Sequence, residues 1–215
     1  MKPTRTLRRV ETVDDLGRLG EIYRAAAKII CEKGFDATSM NDIAEAVGIT
    51  KAGVYHHIPA KKDLLFRIMT FGLDELDEQV IIPARAIADA EARLRSIVHN
   101  HVRLITGHST PQGFNPVTIV VDEVSGLAPA NRRKIDERKR GYVDLIRETL
   151  KQMKDEGRLR DVDPTVSAFS LLGMILWLSR WYRPEGRLSS EHVADEISKI
   201  ALGGLLRPEA RLRGR

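Results

Sequence analysis

Four hydrogen-bond donors crowd into one short stretch, "GITKAGVYHHIPAKKDLL" (residues 48–65): the Thr50 hydroxyl, the Lys51 ammonium, the Tyr55 phenol and the His56 imidazole. Each can donate to a phosphate oxygen, and contacts of that kind hold a protein in register on a duplex without reading its bases. Ala52 and Gly53 lie among these donors with side chains small enough for a helix to approach a groove closely. Lys61 and Lys62 follow at the start of another helix, where free backbone N–H groups also favour a phosphate. The adjacent imidazoles of His56 and His57 are no metal pair, because neighbouring helical residues point about 100° apart and two ligands need i, i+3 or i+4 spacing. A solvated basic face on an ordinary helical pair would carry the same residues.

The elements that must position these groups can be read around them. Ser39 opens a helix as S-x-x-D with Asp42, a capping-box pattern, and Met40, Ile43, Ala44 and Val47 supply its apolar face. Gly48 permits a tight turn with Ile49 inside it. Thr50 then caps a second short helix that turns Val54 and Ile58 inward and leaves Lys51, Ala52, Tyr55 and His56 outward. Two short helices about such a turn form a helix-turn-helix, whose second helix presents its N-terminal residues to the major groove.

At this point the stretch "GFDATSMNDIAEAVGITKAGVYHHIPAKKDLL" resembles the DNA-binding domain of the TetR family of one-component bacterial transcriptional regulators, over roughly residues 18–65. The resemblance implies an all-α homodimer whose variable C-terminal domain binds a small molecule and whose usual action is repression. The set expected at DNA is Ser39, Thr50, Lys51, Ala52, Gly53, Tyr55, His56 and Lys61. Two positions depart from the family pattern. Ile58 stands where an aromatic is usual, and Ala60 stands where a capping serine is common, which weakens the start of the next helix by about 1 kcal/mol.

The rest of the 215-residue chain is also written with helical period, and its breakers leave about nine helices, near 16–33, 39–46, 50–57, 61–81, 86–107, 115–125, 130–156, 164–182 and 189–205. The expected fold is all-α, with a basic arm (1–15), the helix-turn-helix domain (16–65), a larger ligand-binding and dimerisation domain (66–206) and a basic tail (207–215). Residues 1–70 hold 12 Lys/Arg against 9 Asp/Glu, residues 71–204 hold 19 against 20, and the last 11 hold 4 against 1. The net charge of +5 is therefore an excess at the two ends, which suits an anionic partner. Arg5, Arg8 and Arg9 in the arm suit either a minor groove or a disordered solubilising tail. Cys31 is the only cysteine, so a disulfide within the chain is excluded and the cytoplasm is expected. No apolar run reaches the ~18 residues of a membrane span, and no secretory signal pattern opens the chain.

In the second domain His101, Leu104, Ile105 and His108 share a helical face. Two imidazoles there could reach a pocket, or a metal together with Asp122 or Glu123, or be interior side chains bonded to neighbours. The basic run "NRRKIDERKR" is either a solvated face or the rim of a cavity for a phosphate-bearing ligand. Trp177 and Trp181, with Arg180 beside them, suit core, dimer seam or pocket wall. The C-terminal stretch "GMILWLSRWYRPEGRLSSEHVADEI", with Asp122-Glu123 and "VDLIRETLKQMKDEGRLRDVD", resembles the TetR-like subgroup that controls fatty-acid, steroid or aromatic-acid catabolism and responds to acyl-CoA thioesters. That resemblance puts Arg180 and Trp181 on matching positions, though the pattern departs from it upstream of Trp177. The expected ligand set is Trp177, Arg180, Trp181 and His101, with an acyl-CoA thioester as effector.

For dimerisation one helix offers Val166, Phe169, Gly173 and Leu176, and another offers Val193, Ile197, Ile200, Ala201 and Gly204. The helix from Lys61 through Phe66, Met69 and Leu73 is the natural lever between the domains. No nucleophile–base arrangement or cofactor motif stands in the sequence, so an enzyme acting on CoA thioesters is the disfavoured alternative, beside an architectural DNA binder that needs no ligand.

Overall fold

The computed structural model of the chain describes residues 13–58, 60–107, 116 and 127–208, with residues 13–16 and 62 as backbone only. Among these residues there is no strand. A single isolated bridge joins Leu159 to Leu206.

Three helices and the start of a fourth build the N-terminal domain. Helix α1 (Val13–Lys33) buries Ile22, Ala26, Ile29 and Ile30 and stops at Gly34, whose φ of 82° is open to glycine. In α2 (Met40–Ala46) the Ser39 hydroxyl accepts the Asp42 N–H at 3.1 Å while the Asp42 carboxylate accepts the Ser39 N–H at 2.8 Å, completing the expected capping box. Those hydrogen bonds from Ser39 hold the Asp42 carboxyl below its usual range. The helix closes as a Schellman turn: Gly48 at φ 66° donates to Glu45 and Ile49 donates to Ala44. Helix α3 (Lys51–His57) starts on Thr50, whose hydroxyl accepts the Gly53 N–H at 3.1 Å. Val54 and Ile58 are fully buried beneath it. At Ile58 an aliphatic side chain therefore anchors α3 where the family prefers an aromatic ring.

Helix α4 (Lys61–Leu76) begins on Ala60 without a side-chain cap. It runs unbroken through a π-helical turn (Asp77–Ile81) into the short α5 (Ile82–Arg85). The rod is thus longer than the helix over 61–81 read from the sequence. Pro83 did not end it, because the residue lacking an N–H falls just past a π turn, where the hydrogen-bond register has already shifted.

The larger domain is built around α6 (Ala90–Gly107), which packs against α7 (Pro129–Asp155), α8 (Pro164–Trp181) and α9 (Ser190–Leu205). Helix α6 starts at Ala90 rather than 86, since Asp89 accepts the Ala92 N–H and so acts as a cap. Asp163 caps α8 through the Thr165 and Val166 N–H groups, and Ser189 caps α9 through that of His192. Arg158, just past α7, clamps Asp89 and Glu91 at the start of α6, and the hydrogen bond to Asp89 pushes the guanidinium pKa upward. Of the expected helix over 115–125 only residue 116 is described, and Asp122 and Glu123 lie outside the described residues. So do His108, residues 1–12 of the basic arm and most of the basic tail, whereas residues 13–15 of the arm form the first turn of α1. No described helix is long and apolar enough to cross a membrane.

Candidate nucleic-acid interface

Helix α3 turns Lys51, Ala52, Tyr55 and His56 to the outside, with Gly53 half-buried beside them and Thr50 exposed at the cap. Thr50 and Ser39 each use an oxygen lone pair on their own helix start, which leaves the hydroxyl hydrogen to donate outward. A Cβ on Gly53 would meet Thr50 Oγ1 at 3.4 Å and Ile49 Cδ1 at 3.6 Å, ordinary van der Waals distances. The protein's own packing therefore does not demand glycine at 53, and Gly53 instead keeps the outer surface of α3 low.

Lys61 sits differently from a lysine held out for a phosphate. Its ammonium donates to the Asp36 carbonyl at 3.0 Å and lies 4.8 Å from the Phe35 ring centroid. It ties the start of α4 to the turn between α1 and α2, leaving its remaining N–H bonds for an outside acceptor. Arg24 of α1 meets Glu75 of α4 at 3.1 Å and stacks over Phe71. Farther along the rod, Arg138 of α7 reaches Asp74 at 2.8 Å and Asp77 at 2.5 Å, one on each side of the junction with the π turn. Burial alone would lower the Arg138 pKa, and the two carboxylates more than offset it. Neither link was visible in the sequence, where the partners lie 51 and 61 residues apart.

The four residues expected at a ligand are not brought together. His101 is buried, with Nδ1 2.9 Å from the Tyr142 hydroxyl and the two rings edge-on. Desolvation pushes the imidazole down to about 3 and the phenol upward, so both are neutral near pH 7. Among the described residues His101 Nε2 has no hydrogen-bond partner. Trp177 and Trp181, by contrast, are 64% and 45% exposed, and Arg180 is exposed between them. They share the outer face of α8 with exposed Val166 and Phe169, and Ile200 of α9 is exposed as well. His101 is thus interior, whereas Trp177, Arg180 and Trp181 lie on the surface of the chain. The signal was present in the sequence, since α8 is apolar on two faces. Ala168, Leu171, Ile175 and Leu178 fill the core face, so the other apolar face is left exposed among the described residues. Arg132, Arg133 and Lys134 are exposed on α7, with Arg132 3.6 Å from Asp136.

A helix-turn-helix head joined by one rod to a helical domain defines a DNA-binding transcriptional regulator, not an enzyme. Residues 22–68 match the profile of bacterial regulatory proteins of the tetR family, and residues 88–205 match a tetracyclin repressor-like C-terminal domain. The chain belongs to the TetR family of transcriptional regulators. It is 32% identical over 203 residues to the HTH-type transcriptional repressor KstR2 of Rhodococcus jostii (strain RHA1), spanning 92% of this chain and 96% of that protein. Its fold is similar to that of AibR, whose structure holds isovaleryl coenzyme A and operator DNA, with 41% identity, a TM-score of 0.72 and coverage of 85% of this chain and 97% of AibR. KstR2 of Mycobacterium tuberculosis is similar over 93% of this chain and 100% of that one, at 26% identity and a TM-score of 0.77.

Proposed function

We propose that this regulator is a homodimeric repressor that binds a near-palindromic operator and is released by an acyl-CoA thioester. The single observation that carries the effector class is the likeness to AibR at 41% identity over 85% of the chain, because that structure holds a CoA thioester and operator DNA together. On this reading the head, residues 16–65, holds DNA through Ser39, Thr50, Lys51, Tyr55 and His56, with Ala52 and Gly53 admitting the helix to the groove and Lys61 in a secondary role. Two heads then span half-sites about 34–36 Å apart, or a multiple of that. Residues 66–206 hold effector and partner.

The apolar outer face formed by Val166, Phe169, Trp177 and Ile200 supports pairing of α8 and α9 across a two-fold axis. Trp177, Arg180 and Trp181 would then meet a ligand only where that seam borders a cavity. The unpartnered His101 Nε2 supports an interior ligand: a buried polar atom left alone costs about 1–3 kcal/mol, and a thioester carbonyl or an acyl-chain oxygen would satisfy it. Movement of α7 would pass to the rod through Arg138 and so change the spacing of the two α3 helices. A coupling of about 1–3 kcal/mol would change operator affinity about 5–150-fold.

The test is a thermal-shift screen of CoA thioesters against the matching free acids and against hydrophobic drugs, followed by operator release measured by fluorescence anisotropy. Stabilisation and release by CoA esters alone are expected. Release by free acids or drugs and by no CoA ester would remove the CoA proposal and leave the repressor reading in place.

A further inference from the structure

Apart from the DNA-facing helix and the His101 region, one group of described side chains has metal-binding geometry: His99 on α6 with Glu191 and Asp195 on α9. His99 Nε2 lies 3.2 Å from Glu191 Oε1 and 3.6 Å from Asp195 Oδ1, and all three donor atoms are within 4.8 Å of one another. A tetrahedral zinc ion with bonds of about 2.0–2.2 Å keeps its ligands about 3.3–3.6 Å apart. The two edges that meet at His99 already have that length. Glu191 and Asp195 are more than half exposed, so small rotations of their side chains can bring the third edge into range.

The arrangement is fixed by the fold. Glu191 and Asp195 are four apart on α9 and so share a face, and that face is turned to α6, whereas Ile200 points outward. The imidazole comes from a different helix, 92 residues away in sequence. Of the two carboxylates, Glu191 also faces the Arg103 guanidinium, whose Nε is 3.4 Å from Glu191 Oε2, and Asp195 has the Lys199 ammonium in its neighbourhood. Arg103 thus takes the Glu191 oxygen that the histidine does not face, and leaves Oε1 for an ion. Glu191 also lines a cleft of about 600 Å³ with Gln79, Asn100, Arg103, Gly107, Ser189 and Ser190, and its exposure and that of Asp195 leave the open side of the site to solvent water.

We propose that His99, Glu191 and Asp195 form a binding site for zinc or a similar first-row divalent ion, which fastens α6 to α9. One nitrogen and two oxygens suit such an ion better than magnesium or calcium, which prefer all-oxygen shells. The site does not depend on which effector the protein binds. It makes metal a second input to the helix that contributes Ile200 to the outer apolar face.

The experiment uses the full chain without a histidine tag, stripped with chelator, titrated with zinc chloride by calorimetry at pH 7.5 and melted with and without zinc. One zinc per chain and a higher Tm are expected, since an ion that binds only the folded state stabilises it by mass action. His99→Ala and Asp195→Asn should each weaken zinc binding about tenfold or more while keeping the circular dichroism of the parent. His192→Ala and a double change of His56 and His57 to alanine should leave it intact. Zinc binding unchanged in His99→Ala and Asp195→Asn, binding lost instead with the histidines at 56, 57 or 192, or no zinc bound at all would each overturn the proposal and leave an ordinary histidine–carboxylate ion pair.

Discussion

Two exposed faces of this molecule, the outer surfaces of α3 and of α8, are similar in accessibility and opposite in chemistry. Helix α3 shows hydroxyls, an ammonium, imidazole and two residues with almost no side chain, above a buried Val54 and Ile58. Helix α8 shows Val166, Phe169, Trp177 and Trp181, above an equally apolar buried face. Exposure in a lone chain therefore does not say what covers a surface. The donors of α3 lose little when left in water and gain from phosphates, whereas the aromatic face of α8 gains only by leaving water.

The largest effect should come from placing charge on the apolar face. Trp177→Glu is expected to turn a dimer into a monomer in sedimentation velocity and to lower operator affinity about 100-fold or more, because two linked heads bind far more tightly than one. A Trp177→Glu protein that stayed dimeric at full affinity would remove α8 from the seam. On α3 the same exposed position tolerates charge: Tyr55→Glu should leave the oligomer unchanged and act on DNA binding alone.

The interior pair offers the next test, through pH. The folded state holds His101 neutral down to about 3 whereas the unfolded chain takes up a proton near 6.5, so protons favour unfolding between those values. Stability is fully present above about pH 6.5 and is lost as pH falls toward 3, at about 1.4 kcal/mol per pH unit from this group. Replacing both partners, His101→Phe with Tyr142→Phe, should flatten that part of the profile in chemical denaturation, cost little at pH 7 because no partner is left orphaned, and blunt the response to effector. An unchanged pH profile in the double variant would assign the acid sensitivity elsewhere.

Smaller effects belong to single residues of α3. Lys51→Ala should weaken binding to all sequences alike and reduce the salt slope by about 1, as measured by anisotropy across salt concentrations. A change of sequence preference with an unchanged slope would make Lys51 a base reader. Gly53→Ala should raise thermal stability slightly, by up to about 1 kcal/mol, since a Cβ fits there and alanine favours helix, yet lower operator affinity. Affinity equal to that of the parent would show that the groove does not need the low surface at 53.

Much of the head was legible because its determinants act within a few residues. Ser39 and Asp42 close their own box, Gly48 ends α2 with a left-handed residue, and Thr50 caps α3 through Gly53, so local chemistry specified each boundary. The periodicity of Val54 and Ile58 told which face is buried, and hence which donors point outward. The sequence by itself thus determined the helices, the turn and the outward set on α3. Only the tertiary structure decided that Lys61 is held by Asp36 and Phe35, that His101 pairs with Tyr142, that Arg138 grips the rod at Asp74 and Asp77, and that Trp177 lies outside. Those partners come from separate helices, and periodicity can show that a face is apolar or polar but not which other surface will meet it.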